Sequence, residues 1–282
     1  MAEKYDRGKR IQTYAELLIK ASRNIENPVD IWLIGNTGMR NPWRIPSGFK
    51  VYTESNMVGK LRSQEEQVAF KMLLMEKGEI GGDLEKDQSA SITRKYRLMF
   101  NKYGFTYPEM TKKSGILQAD IGPIDGITPV GEAFYAADTV SAQQECFLRG
   151  LIVPMEKIDE DRYFSPLLWV LAIMIELEKK TGDTKINFVE FASLVQTSNP
   201  KFDIDEVTDA IIALREDRKK VENKKRFDNE AIGGVDQYYR KLRQNFKDYA
   251  DMNIRYLISS GIVKRAGRGI TLVPEYHSTA IE

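Results

Sequence analysis

Apolar residues recur at helical spacing through most of the chain, and only a few short stretches alternate with the two-residue period of a strand. Residues 14–22 predict a short amphipathic helix, residues 30–34 (DIWLI) a strand, and residues 35–48, rich in Gly, Asn, Pro, Arg and Trp, a loop. Ser63 followed by Glu66 is a capping box that opens a helix running to about Lys77. Gly81-Gly82 ends that unit. Residues 91–102 predict a second strong helix, from which Tyr103-Gly104-Phe105 turns into a strand. A Gly/Pro-rich loop then leads to Ile127-Thr128-Pro129, the start of a helix reaching Ala137, and a helix over 142–151 is stopped by Pro154.

Residues 155–164 are mostly polar and acidic and predict a linker. Beyond it, Ser165 stands as N-cap and Pro166 at the first helical position. The helix they open, over 167–178, is apolar all round at its start, which places it at the centre of a core. Asn187 with Glu190, and Asp203 with Glu206, mark two more helix starts. The second of these helices becomes charged on every side near 215–226 and is expected to project from the body, with Gly233-Gly234 breaking it. Residues 249–259 predict the last helix, ended by Gly261. A hairpin then pairs 262–265 with 270–273 around a turn at 266–269.

At 100° per residue, the helix over 91–102 puts Ile92, Tyr96, Met99 and Tyr103 on one face and Arg94, Arg97 and Asn101 on the other. An apolar back and an Arg/Arg/Asn front carry the groups that read base edges in a major groove. Arg bonds guanine O6 and N7 together, and Asn bonds adenine N6 and N7. Lys95 and Lys102 flank the same helix, and Ser89 or Ser91 at its start is placed to donate to a phosphate. A solvated, salt-bridged surface has the same pattern, and both readings stand at this level. The neighbouring elements, a helix before it and strand-like segments after it, match a helix-turn-helix with a wing. The C-terminal helix and hairpin repeat that logic, with Lys264, Arg265 and Arg268 near the tip and the generic basic hairpin as the alternative. A third candidate is the loop holding Arg40, Asn41, Pro42, Trp43 and Arg44, which either lies along the nucleic acid or packs its Trp on the body. Lys219, Lys224, Lys225, Arg240 and Arg243 complete the cationic positions assigned to DNA contact.

The expected fold is therefore mainly α, with two winged-helix-related subdomains: residues 1–154 and 165–282, joined by the linker at 155–164. The chain has 282 residues and a formal net charge of +1, so any attraction for a polyanion must come from local faces. Between Ile116 and Leu148 there are five acids and no Lys or Arg, whereas a basic stretch from Arg94 to Lys113 lies just before. The single cysteine, Cys146, excludes an internal disulfide and reads as a small buried residue. The single histidine, His277, excludes Ser-His-Asp, HNH-type and His-rich metal chemistry within the chain. No secretory signal is visible, since residues 1–10 are charged and no apolar run follows them, and no P-loop, GxGxxG or GxSxG occurs in the sequence. The longest apolar stretch, about a dozen residues at 166–177, is too short to span a bilayer. A PD-(D/E)XK nuclease centre needs an acid followed by Asp/Glu-x-Lys on adjacent strands. Glu178-Lys179-Lys180 and Glu222-Asn223-Lys224 match the tripeptide but fall in predicted helices.

Across nearly its whole length the chain resembles the N-terminal recognition region of AlwI-like type IIS restriction endonucleases and their nicking relatives. The matching stretches are Trp32 with Arg40-Asn41-Pro42 and Ile45; Arg94 with Tyr103-Gly104-Phe105; Ile127-Thr128 with Gly131; Phe147-Leu148-Arg149; Pro166-Leu167 through Leu171; Glu190-Phe191; Ile211 through Arg215 with Arg218; and Arg255-Tyr256 with Gly261 and Pro274-Glu275. The resemblance implies two helical subdomains that read an asymmetric duplex site. A separate C-terminal or partner PD-(D/E)XK domain would cut outside that site, using Mg²⁺ held there and no cofactor in this chain. The chain would then be a recognition unit, monomeric and cytoplasmic, with double-stranded DNA as partner and no membrane attachment. A winged-helix transcription regulator and a protein-interaction module docking through 215–226 are the alternatives.

Overall fold

The computed structural model describes residues 31–81, 90–158, 160, 162–236 and 246–281. The helix expected at 14–22 lies outside them, as do Asp30, Gly82, Ser89, Arg240 and Arg243. The chain is mainly helical and divides into two compact units, residues 34–154 with 255–261, and residues 1–33 with 155–254 and 262–282.

The unit of residues 34–154 carries helices α1 (Ile45–Thr53), α2 (Gln64–Glu76), α3 (Ser91–Lys102), a single turn α4 (Gln118–Ile121), α5 (Pro129–Ala136) and α6 (Val140–Ile152). The capping box at Ser63 and Glu66 forms in full, and Thr128 and Thr139 cap α5 and α6. The loop expected over 35–48 gives way to α1 at Ile45. Pro46 falls in the first helical turn, where its missing N–H has no intrahelical partner to lose, and Ile45, Phe49 and Tyr52 are buried at helical spacing. Phe49, Phe100, Phe105, Phe134 and Phe147 build an aromatic core. Within it Phe105 and Phe134 stack at 4.1 Å, and Phe49 meets Phe100 edge-on at 5.0 Å. Cys146 is buried on α6.

The strand expected after Tyr103 is a single bridge between Thr106 and Ile127. Phe105 and Thr106 turn their N–H groups back to the Phe100 carbonyl at the end of α3, and the Phe105 carbonyl is taken by Thr128 at the start of α5. Tyr107 donates to the Gly126 carbonyl at 2.9 Å and accepts from the Asp125 N–H at 2.8 Å, but Asp125 is left-handed at φ 58°, so the pairing does not extend into a ladder. Among the described residues this unit has no β-hairpin of the expected wing. The strand expected at 30–34 is likewise not seen over 31–34. Trp32 instead anchors its segment in the other unit, its indole N–H shared between the Ser198 and Val195 carbonyls at 2.9 and 3.2 Å.

That other unit holds a two-residue hairpin, β1 (Glu156–Lys157) with β2 (Tyr163–Phe164), inside the expected linker, then α7 (Pro166–Thr181) and α8 (Phe188–Glu190), the latter continued as a π-helical turn over Phe191–Val195. Next come α9 (Ile204–Lys219), α10 (Lys224–Asp236) and α11 (Phe246–Ser259), then β3 (Val263–Ala266), β4 (Gly269–Leu272) and α12 (His277–Ile281). The boundary between the units falls within α11. Helix α7 is central: Leu167, Val170, Ile173, Met174 and Leu177 are fully enclosed. Ser165 occupies its N-cap position without making a side-chain cap bond. The Asn187–Glu190 capping box of α8 is complete.

Two expectations about 204–236 are corrected. Helix α9 does not project as an all-round charged rod. Val207, Ile211, Leu214 and Asp217 are buried, the helix stops at Lys219, and α10 packs Phe227, Ala231 and Ile232 inward. Gly233-Gly234 does not break α10, which continues to Asp236. Each glycine costs a helix only about 1 kcal/mol, which the burial of one Phe can offset. The C-terminal hairpin forms in the expected register, with Val263 opposite Leu272 and Ala266 opposite Gly269.

Candidate nucleic-acid interface

In the unit of residues 34–154, segment 34–44 holds its shape through buried tyrosine hydroxyls. Tyr103 donates to the Ile34 carbonyl at 3.0 Å, Tyr256 to the Met39 carbonyl at 2.6 Å, and Tyr96 to the Arg44 carbonyl at 3.3 Å. Burial pushes the Tyr96 hydroxyl up to about 12, against an opposing pull from Arg44, and raises those of Tyr103 and Tyr256 as well. Between these pins, Met39 closes a turn on the Asn36 carbonyl at 2.8 Å. Asn41 caps a 3₁₀ turn (Pro42–Arg44) by accepting from the Trp43 N–H at 3.2 Å. The backbone runs close to α3 and α11: a Cβ at Gly38 would lie 2.2 Å from Lys95 Cε, and one at Gly35 would lie 2.3 Å from the Tyr256 ring. Arg40, Asn41, Trp43 and Arg44 are exposed on this fixed loop, next to Lys95. Trp43 packs one edge on Phe147 at 5.7 Å while 37% of its surface stays open.

Helix α3 turns Tyr96, Met99 and Phe100 inward, with Thr93, and not Ile92, completing the buried face. Its three predicted readers part company. Arg94 is exposed, its guanidinium reaching Gln67 Oε1 at 3.4 Å. Arg97 places Nε between both oxygens of Asp125, at 2.9 and 2.8 Å, and Nη2 lies 3.7 Å from Glu109. Asn101 donates to Asp125 Oδ1 at 3.3 Å and accepts from the Thr106 hydroxyl. The Asp125 side chain is 1% exposed and its residue sits at φ 58°, so Arg97 and Asn101 compensate a buried charge on a left-handed turn. Nothing in the sequence near Arg97 announced a partner twenty-eight residues away. Ser91 and Lys102 are half-buried at the two ends of the helix.

In the second unit, a cleft of about 450 Å³ gathers Lys185, Arg215, Arg218, Lys219, Lys224 and Arg268 around Glu190, Asp183 and Asp228. Glu190 is 1% exposed. It accepts from the Asn187 N–H at 2.9 Å and side-chain amide, and from Arg215 Nε and Nη2 at 2.9 and 3.1 Å. Burial disfavours the Arg215 cation, and the bonds and charge of Glu190 more than reverse this, so its pKa rises above the ordinary value. The paired bonds of Arg218 to Asp228, at 2.7 and 3.0 Å, raise Arg218 likewise. With those arginines engaged, Lys185, Lys219 and Lys224 are exposed at the cleft, as is Arg268, which lies over the Phe188 ring at 4.4 Å. The cleft arginines escaped sequence reading because 215–226 looked like one solvated run. Lys225 is exposed on α10 outside this cleft. The hairpin cations are all exposed but do not converge: Lys264 lines a second cavity with Glu178 and His277, while Arg268 faces Phe188. Gly267 takes φ 62° in the two-residue turn, where a hairpin of this length favours glycine.

Neither nuclease-like tripeptide has the setting for a divalent metal. On α7, Glu178 contacts His277, and Lys180 pairs with Asp205 and Asp209 at 2.7 and 2.8 Å. Glu222 and Asn223 precede α10 instead of lying in it, a correction to the expected helix. Among the described residues, no three or more His, Cys, Asp or Glu side chains are grouped so that they could hold a metal ion together.

Residues 102–282 match the AlwI restriction endonuclease family. The chain belongs to that family. Membership brings a restriction–modification role with DNA as the partner. The AlwI match begins at Lys102, the last residue of α3, so the cleft and the C-terminal hairpin lie inside it and the Arg40–Arg44 loop and Arg94 lie before it. No individual curated protein matches the sequence. No helix among the described residues is long and apolar enough to cross a membrane.

Proposed function

We propose that this AlwI-family chain is the sequence-reading part of a type IIS restriction or nicking endonuclease, with strand cleavage carried by a further domain or subunit. The observation that carries the reading is the fixed loop at 34–44. Its cations and its half-open Trp43 stand on a backbone held by three buried tyrosine hydroxyls, beside Lys95 of α3. A recognition surface gains affinity when its groups are already placed, because less freedom is lost on binding. Arg94 is the best-placed base reader of α3, with Arg97 and Asn101 as positioning residues for Asp125. In the other unit Lys219, Lys224, Lys225, Lys264, Arg265 and Arg268 act on phosphates, the β3–β4 hairpin serving as a wing.

Selection of binding sites from a random duplex pool by gel shift tests this. The expected outcome is an asymmetric enriched motif. Arg94→Ala should then relax one position and weaken binding by about 1–3 kcal/mol. Failure to enrich any motif at low salt overturns the reading. A palindromic motif bound by a dimer would favour a transcription regulator.

A further inference from the structure

Resting on the DNA-binding reading, we propose that the loop at 111–118 is a wedge that inserts Ile116 and Leu117 between neighbouring base pairs from the minor groove. Leu117 is 69% exposed and Ile116 49%, side by side at the tip of a connection that the folded unit leaves uncovered. The tip stands on a stapled base. Gln118 accepts from the Met110 N–H at 2.9 Å and donates to the Pro108 and Gly122 carbonyls at 3.1 and 2.8 Å, closing the loop from both sides. Ser114 donates to the Thr111 carbonyl at 2.7 Å and accepts from the Ile116 N–H at 3.3 Å, while Gly115 turns the chain at φ 69°. Two large apolar side chains are thus held out in water by a built loop.

The chemistry around them selects the occupant. Lys112 and Lys113 lie within the loop, and Lys112 is exposed at the foot of the tip. Of the two acids that flank the loop, Glu109 is paired with Arg62 at 2.8 Å and Asp120 is exposed. The loop itself is therefore cationic, the charge that flanking phosphates require. Two aliphatic side chains fall far short of the roughly 1,200 Å² that a specific protein interface buries. They also carry less hydrocarbon than a single acyl chain, which by itself gives only marginal membrane attachment. One or two apolar side chains do suffice in the minor groove, where wedges of Leu or Ile unstack a step and kink the duplex while cations hold the flanking phosphates.

The test uses the full chain and an end-labelled duplex recovered from the random pool. One series carries 2-aminopurine at successive steps, and another carries a donor–acceptor pair at its ends. Wild-type protein should brighten 2-aminopurine at one step and shorten the end-to-end distance. Ile116→Ala/Leu117→Ala should abolish both signals and weaken binding roughly ten-fold or more, because burying two such side chains outweighs the cost of unstacking, with an unchanged melting temperature because both are exposed. Val140→Ala, an equally open aliphatic position on α6, should change nothing. Binding and bending retained by the double variant would overturn the wedge and leave the DNA reading standing. Weaker binding with the 2-aminopurine and distance signals intact would also overturn insertion. Loss of wild-type retention on phosphatidylserine vesicles in the double variant, with DNA binding unaltered, would assign the tip to lipid instead. If no duplex is recovered at all, both the wedge and the reading it rests on fail.

Discussion

Arg94 and Arg97 share one face of α3 and are indistinguishable in the sequence, yet Arg97 meets the buried carboxylate of Asp125 and Arg94 reaches the Gln67 side chain. Removing one partner of such a pair leaves an uncompensated charge, so Arg97→Ala should lower stability by about 3–5 kcal/mol in urea unfolding. Arg94→Ala should cost less stability than Arg97→Ala, and urea unfolding of the variant beside its gel shift separates a fold effect from lost base contact. The tyrosines of segment 34–44 make a second residue-scale prediction. Tyr256→Phe leaves the Met39 carbonyl unpaired and should cost about 1–3 kcal/mol. Burial raises Tyr96 to about 12 while its unfolded value stays near 10, so the folded state keeps a proton that the unfolded state loses first. The contribution is complete below about pH 10 and is lost as pH climbs from about 10 towards 12. Tyr103 and Tyr256 act in the same direction. The part of the tyrosinate absorbance that Tyr96→Phe removes should therefore rise together with the loss of helical circular dichroism. A rise of that part well before unfolding would contradict this.

At the scale of elements, the β3–β4 hairpin exposes cations on a strand pair that buries Val263, Ile270 and Leu272. Its charges can be removed without touching that core. Lys264→Gln with Arg265→Gln should leave the melting temperature nearly unchanged. It should reduce the dependence of log K on log salt by about 0.9 for each phosphate that the variant no longer neutralises. An unaltered slope would take the hairpin out of the interface. Helices α9 and α10 behave differently. Their charged run had looked like a solvated rod, and is in part an internal lattice of Arg215 with Glu190 and Arg218 with Asp228. Glu190→Gln should thus destabilise this unit, where an exposed carboxylate would not.

For the whole molecule, the net charge of +1 rules out a general attraction for DNA and makes the local faces decisive. Membership in the AlwI family brings DNA as the partner, and the proposed division of labour predicts how the purified chain behaves. Incubation with plasmid and Mg²⁺ should leave supercoiled DNA intact, and sedimentation should give a monomer on an asymmetric footprint. Nicked or linear product would refute the recognition-only proposal.

Local sequence decided the features whose physics is local. The capping boxes at Ser63 and Asn187, the limits of α3, the Pro-led start of α7 and the register of the C-terminal hairpin were all legible, because caps, prolines and periodicity act within a few residues. The basic character of the Arg40–Arg44 loop and of the hairpin tip was legible for the same reason. The tertiary structure alone decided which cations are engaged internally and which face solvent. Asp125 claims Arg97 across a long loop, Glu190 claims Arg215 from another helix, and distant tyrosines fix the loop at 34–44. It also decided that the strand-like segments after Tyr103 meet for a single bridge, so that the expected wing of that unit does not form. A guanidinium on a helix surface has the same pattern whether it faces water, a phosphate or a buried carboxylate. Only packing brings the third within reach, and the desolvated charge then holds it there.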